Sequence, residues 1–209
     1  TYTDEQGVEQ REAITLDFEK SLASFEAFYA SHNIDVPPDF EATMRDIWVG
    51  NEAAIREAVE QQGFDEILLV PGRLSLAELH DQMSQGYVET YQSDNFKKGG
   101  SFAGVKEVMT DARLVLVHKN RAKNLEDRPE LKATLGKTAA AFIQAGEGLN
   151  LTDYLIFQRK YFEETQAHLD EVGWTWLPGS KSGAHVVGAI WSPSCRQLYV
   201  LALGAGNAH

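Results

Sequence analysis

The sequence predicts an α+β protein in which an acidic helical extension, residues 1–62, precedes a β-rich domain, residues 63–209. In the first third, apolar residues recur at the spacing of one helix face. Two short apolar runs, Glu66-Ile67-Leu68-Leu69-Val70 and Arg113-Leu114-Val115-Leu116-Val117-His118, read as strands. From Trp174 onward, three further runs of this kind are separated by turn residues. The chain has 209 residues, 43% of them hydrophobic, enough to bury a sizeable core and too many for wholesale disorder. No apolar run approaches the roughly 18 residues of a membrane span.

Ile14, Phe18, Leu22, Phe25 and Tyr29 predict a long amphipathic helix over roughly 4–31, broken by Asn33 and the Pro37-Pro38 pair. Met44, Ile47, Trp48, Ile55 and Val59 predict a second helix that ends near Gly63. Each has an apolar stripe that must dock on the following domain or on another chain. The strand at 66–70 closes on the Pro71-Gly72 turn. Ser75-Leu76-Ala77-Glu78 has the form of a capping box, so a helix is expected from about 76 to 85. A loop rich in Gly, Ser and Lys follows, from Ser93 to Gly104. Pro129 suits the first position of a helix carrying Leu131, Leu135, Ala139, Phe142 and Ile143. Thr152 is expected to cap the next helix, with Leu151 and Ile156 as a hydrophobic staple, a stripe of Leu155, Phe162 and Leu169, and Gly173 as its stop. The last strands are expected at Trp174 to Leu177, His185 to Trp191 and Gln197 to Leu203, with turns at Pro178-Gly179 and Ser192-Pro193.

The formal charge of −12 is unevenly placed: residues 1–66 hold 16 acidic and 4 basic residues, and the remainder is neutral. That asymmetry marks two modules and a solvated acidic helix surface. It argues against nucleic acid as the main partner, because phosphate binding needs a basic footprint. The single cysteine, Cys195, excludes an intrachain disulfide and fits a reducing compartment, while a first residue that is not Met leaves room for a processed N-terminus.

Few residue patterns point to chemistry. The histidines (His32, His80, His118, His168, His185 and His209) form no zinc spacing with Cys195 or one another. His168 and Asp170 are poorly spaced for one metal, and a histidine favoured by a helix C-terminus is the simpler reading. Asn95 to Gly104 has phosphate-loop composition without the phosphate-loop arrangement, and reads as an ordinary surface loop. Cys195 has Arg196 beside it but no histidine nearby in sequence to activate it. Glu163-Glu164 and Asp170-Glu171 read as solvated helix edges.

The last two strands carry a clearer signal. By alternation, Val187, Ala189 and Trp191 point one way, and Gly188 and Ile190 the other; Leu198, Val200 and Ala202 share one face, and Tyr199, Leu201 and Leu203 the opposite one. One face of each strand is a core set. The other is either a contact patch or a second buried face between layers.

Trp174-Thr175-Trp176-Leu177-Pro178-Gly179, Ala184-His185-Val186-Val187, Ala189-x-Trp191-x-Pro193 and Leu198-x-Val200, preceded by Leu149-Asn150-Leu151-Thr152-Asp153-Tyr154, resemble the C-terminal region of the variable proteins of diversity-generating retroelements. The resemblance covers 65–209 in general character and 149–203 with some specificity. It implies a C-type-lectin-like domain, of the formylglycine-generating-enzyme-like subtype, preceded by the N-terminal helical extension. It also implies a ligand-binding surface, within about 185–209, that a reverse transcriptase diversifies at adenines. Fixed scaffold positions would be Trp174, Trp176, Ala189, Trp191, Pro193, Leu198 and Val200. Variable, ligand-binding positions would be Gly188, Ile190, Ser192, Ser194, Cys195, Tyr199, Leu201 and Leu203, with Ala205, Asn207 and His209 after them. The chain departs from the family at Gly204–His209, which lacks the usual Gly-x-Arg-Pro-like closing strand. Paired active-site cysteines and the Trp-Asn-Asp calcium signature are also absent, so the resemblance implies neither catalysis nor calcium-dependent sugar binding.

The reading is a non-enzymatic binder without cofactor or metal, whose partner is a protein or cell-surface ligand. Two alternatives remain open. One is an enzyme acting on a phosphorylated small molecule or nucleotide through Ser93–Gly104 with Lys97, Lys98 and Lys106. The other is a structural homo-oligomer assembled through the helices of 1–62.

Overall fold

In a computed structural model the protein is a mixed α+β structure, described here for residues 2–3, 9–10, 16–85, 89–92, 102–119, 148–171 and 173–204. The described elements are β1 (Tyr2–Thr3), β2 (Glu9–Gln10), α1 (Phe18–Ser31), α2 (Phe40–Gln62), β3 (Glu66–Val70), α3 (Leu76–Met83), β4 (Glu89–Gln92), β5 (Val105–Glu107), β6 (Arg113–Val117), α4 (Leu151–Thr165), β7 (Thr175–Ser182), β8 (His185–Ser192) and β9 (Gln197–Leu203). β1 pairs with β2 and β3 with β6, both antiparallel; a five-stranded sheet has the order β4-β9-β8-β7-β5, with β4 parallel to β9 and the other pairs antiparallel.

The start of α1 corrects the helix expected over 4–31. Asp17 is its N-cap and accepts from the Lys20 backbone N–H, and Tyr2–Thr3 lies antiparallel to Glu9–Gln10. The residues that α1 buries, namely Phe18, Leu22, Phe25, Phe28 and Tyr29, begin only at that cap. α2 ends at Gly63, whose φ of 72° suits the left-handed cap that glycine adopts without strain.

The stripes of α1 and α2 dock on the chain that follows them. α1 packs on β3 and α2 on β6, and one buried cluster runs from Phe18 through Phe25, Tyr29, Met44 and Ile67–Val70 to Val187 and Val200. β3 also packs on α4, so Ile67, Leu68, Leu69 and Val70 are all buried, which is why this strand reads as a continuous apolar run. The Tyr29 hydroxyl donates to the Leu69 carbonyl inside this layer. Polar links join α1 to α4 at its margin: Lys160 Nζ donates to Ser24 Oγ and Glu164, and His32 meets Glu163 at 2.8 Å.

Helix α4 is the central element, and both of its ends differ from expectation. Its cap is Asn150, not Thr152. Asn150 accepts from the Asp153 N–H at 2.8 Å, and the Asp153 carboxylate accepts in return from the Asn150 N–H at 3.1 Å. The helix stops at Thr165, eight residues before Gly173, with Gln166 in the left-handed region at φ 58°. Leu169 is buried from the segment beyond the helix rather than from its stripe. β7 likewise runs through Pro178-Gly179, where a turn was expected; the irregularity there is a register shift against β8 between Leu177 and Lys181. The helix expected from Pro129, and residues 93–101 of the expected loop, lie outside the described residues. At the end of that loop Phe102 is buried against the His80 ring, while Ala103 is exposed.

Asp153 joins its cap to a buried ion pair, accepting from Arg113 Nε at 3.0 Å and from Nη2 of the same guanidinium. Removing one partner strands a buried charge, which typically costs about 3–5 kcal/mol. Asp153→Ala is therefore expected to lower unfolding free energy by about that amount in urea titration, well beyond the roughly 1 kcal/mol of a lost cap alone.

Candidate functional site

The expected alternation is realised in the sheet. Residues directly opposite across β8 and β9 share a face, and the register pairs Ala189 with Val200, Trp191 with Leu198 and Val187 with Ala202. Of these, Val187, Ala189, Trp191, Leu198 and Val200 are buried in the main core. The same register pairs Gly188 with Leu201, Ile190 with Tyr199, and Val186 with Leu203 on the opposite face. There Ile190, Tyr199, Leu201 and Leu203 are half-buried.

The candidate positions fall into three groups. Gly188 is buried, and a Cβ built on it would lie 2.6 Å from Leu203 Cδ1, so these two residues fill one space. Ile190, Tyr199 and Leu201 lie side by side on the outer face. Ser192 begins the β8–β9 connection, Ser194 and Cys195 are exposed within it, and Ser192 Oγ accepts from the Cys195 N–H at 3.4 Å. Ala205, Asn207 and His209 lie outside the described residues. Among the proposed scaffold positions Trp176, Ala189, Trp191, Leu198 and Val200 are buried, Trp174 is half-buried and Pro193 is exposed.

Two neighbours of the candidate residues escaped the strand-by-strand reading. Trp176 is opposite Gly188, so it projects with the candidate residues rather than into the main core, and it forms a small cluster with Val186 and Leu203. Alternation within β7 carried that signal, but only the register with β8 says which face it joins. β4 was also missed. It lies parallel to β9 with Tyr91 opposite Tyr199, which gives β9 a neighbour on each side.

A second polar cluster sits at the start of α4. Glu107 accepts from the Thr152 N–H at 2.9 Å, from the Thr152 hydroxyl at 2.7 Å and from the Ser180 hydroxyl at 3.1 Å, and Ser180 accepts from the Leu151 N–H at 2.8 Å. Burial pushes the Glu107 carboxyl up despite these bonds, and Asp153 is pushed up by burial against the pull of Arg113. A carboxylate whose oxygens accept a first-turn N–H and hydroxyl of a helix is an anchor for that helix. Of the lysines considered for phosphate chemistry, Lys106 is exposed on β5, and Lys97 and Lys98 lie outside the described residues.

His168 does not sit at a helix C-terminus as a favoured cation. It lies beyond the α4 cap, stacked between Phe162 and Trp191, with ring centroids 4.5 and 3.5 Å away. Burial pulls its pKa down to about 4, against a smaller opposing pull from Glu171. Among the described residues no group of three or more His, Cys, Asp or Glu side chains is arranged to hold a metal ion.

The two sides of the sheet should tolerate change differently. A Cβ at Gly179 would meet Asn150 Cβ at 2.8 Å and the Asn150 backbone N at 3.2 Å, pressing on the α4 cap, whereas at Gly188 it meets the far end of one leucine. Gly179→Ala is expected to cost about 1–3 kcal/mol and Gly188→Ala less than about 1 kcal/mol, read as shifts of the urea midpoint.

Comparison with protein-family models, with curated proteins and with solved structures returns no match to this chain.

Proposed function

We propose that this chain is a ligand-binding protein that recognises a protein or cell-surface partner through the outer face of β8 and β9 and the connection between them. The observation that supports it most is the division of labour between the two faces. The inner residues of both strands are packed in the main core, while Ile190, Tyr199 and Leu201 share the opposite face beside the exposed Ser194 and Cys195. Among the described residues, the positions that resemble a retroelement's variable set lie on two adjacent strands and the connection between them, in a sheet whose register is held from inside. In this reading residues 63–209 form a C-type-lectin-like domain, diversification acts at Ile190, Ser192, Ser194, Cys195, Tyr199 and Leu201, and a large side chain at Gly188 needs a smaller one at Leu203. An aromatic and two branched aliphatic residues suit a partner's apolar anchor, and the two serines and the thiol suit its polar rim.

Separating the faces tests the reading. Tyr199→Ala and Leu201→Ala should each move the melting temperature by less than about 3 °C, since half-buried residues outside a packed core cost about 1 kcal/mol or less. Leu198→Ala, one residue away, should cost about 2–5 kcal/mol. A displayed library randomised at the six positions should stay largely folded and yield binders to an arbitrary protein target; a library that is mostly unfolded would overturn the proposal.

The retroelement origin has its own test in the genome. The DNA encoding residues 185–209 should have a near-copy that differs mainly at adenines and lies beside a reverse transcriptase gene. A locus without that copy refutes diversification and leaves the binding face to stand on the library result.

A further inference from the structure

The segment after α4 is built around an unusual histidine. Phe162 of α4, His168 and Trp191 of β8 form a three-layer stack with interplanar angles of 15° and 14°. Gln158 fixes the protonation state of the middle ring. Its Oε1 accepts from the Leu169 N–H at 2.8 Å, and an N–H can face only the oxygen end of the amide. The amide nitrogen is thereby turned to His168 Nδ1, 2.7 Å away, where it donates. Nδ1 must then be an acceptor, so the ring is neutral with its proton on Nε2. Protonated His168 would set two donors against each other, and Gln158 cannot turn over without losing the Leu169 bond.

The chain around this stack is not relaxed. Gln166 and Asp170, both non-glycine, have φ of 58° and 56°, in a region that costs side-chain-bearing residues energy. The groups that α4 and β8 turn to the ring, Gln158, Phe162 and Trp191, carry no charge. Glu171, in the same segment, acts on the ring through its charge, and its carboxylate accepts from the His168 backbone N–H at 3.2 Å. Trp191 lies on the inner face of β8 between Ile190 and Ser192, two of the proposed contact residues.

We propose that His168 is an acid-release clamp for the β8–β9 hairpin: proton uptake breaks the Gln158–His168 bond, unstacks Trp191 and loosens the strand ends that present Ile190, Ser192 and Tyr199. This regulation rests on the proposed binding face, but the clamp can be tested without any ligand. Burial supports it, holding His168 near pKa 4 against the ordinary value of about 6.5. Opened chain takes up the proton first as the pH falls through about 6.5. The closed form follows only near 4, so clamp stability is full above that window and lost across it.

Hydrogen exchange of the full chain, corrected for intrinsic rates, reads the effect at amides 187–191 and 198–202. The opening constant should rise by up to about tenfold per pH unit between about 6 and 4. The α1 and β3 amides should keep their protection over the same range. His168→Gln and His168→Phe, which cannot take up a proton, should make the hairpin response flat, and two variants guard against one that fails to fold. A wild-type hairpin whose opening does not change with pH, a response that survives in both variants, or a loss of protection spread evenly over the chain would overturn the clamp. If the clamp holds while the six-position library yields no binder, the device stands and the binding reading falls.

Discussion

Asp153 occupies a position where two requirements meet. Its carboxylate closes the capping box of α4 and neutralises Arg113 of β6 in a site with little access to water. Either task alone would set one end of one element. Together they fix the direction of α4 relative to the β3–β6 pair, and Glu107 and Ser180 tie the same helix end to β5 and β7. The five-stranded sheet and the two-stranded pair are therefore joined through one helix N-terminus. Burying this much polarity is tolerated because nearly every donor finds an acceptor, the condition under which such networks specify one arrangement.

How much of this was legible follows from the range over which each signal acts. The strand at 66–70 and the last strand at 197–203 carry their limits in the sequence, because each is bounded by residues that cannot continue it. α2 ends where Gly63 allows a left-handed turn. The cap of α4 was misread by two residues, since Asn150 and Thr152 are both competent and only Asp153 three residues after Asn150 decides between them. Gln166 at the other end gave no warning, as a non-glycine in the left-handed region is chosen by packing rather than by propensity. β4 and β5 are four and three residues long and pair with strands 108 positions away for β4 and about 75 positions away for β5, so local pattern had almost nothing to report.

The candidate face shows the same limit. Alternation divides β8 and β9 correctly because each strand is read against itself. It does not place Trp176 and Val186 beside those residues, since cross-strand neighbours depend on register. That neighbourhood has a physical consequence. Gly188, Leu203, Trp176 and Val186 form a small apolar floor, and Ile190, Tyr199 and Leu201 stand beside it.

A surface that accepts many side chains needs a backbone whose position does not depend on them. Here β9 is flanked by β4 and β8, and β8 by β7 and β9, so the two strands have few free backbone groups through which they could shift. Among the inner residues of the two strands, Trp191 is linked to Phe162 of α4 through the His168 ring. Outer side chains therefore add area and chemistry without setting register. The stacked histidine is the one described link in that support whose strength depends on a proton, and for that reason it is also where the environment can act on an otherwise fixed frame.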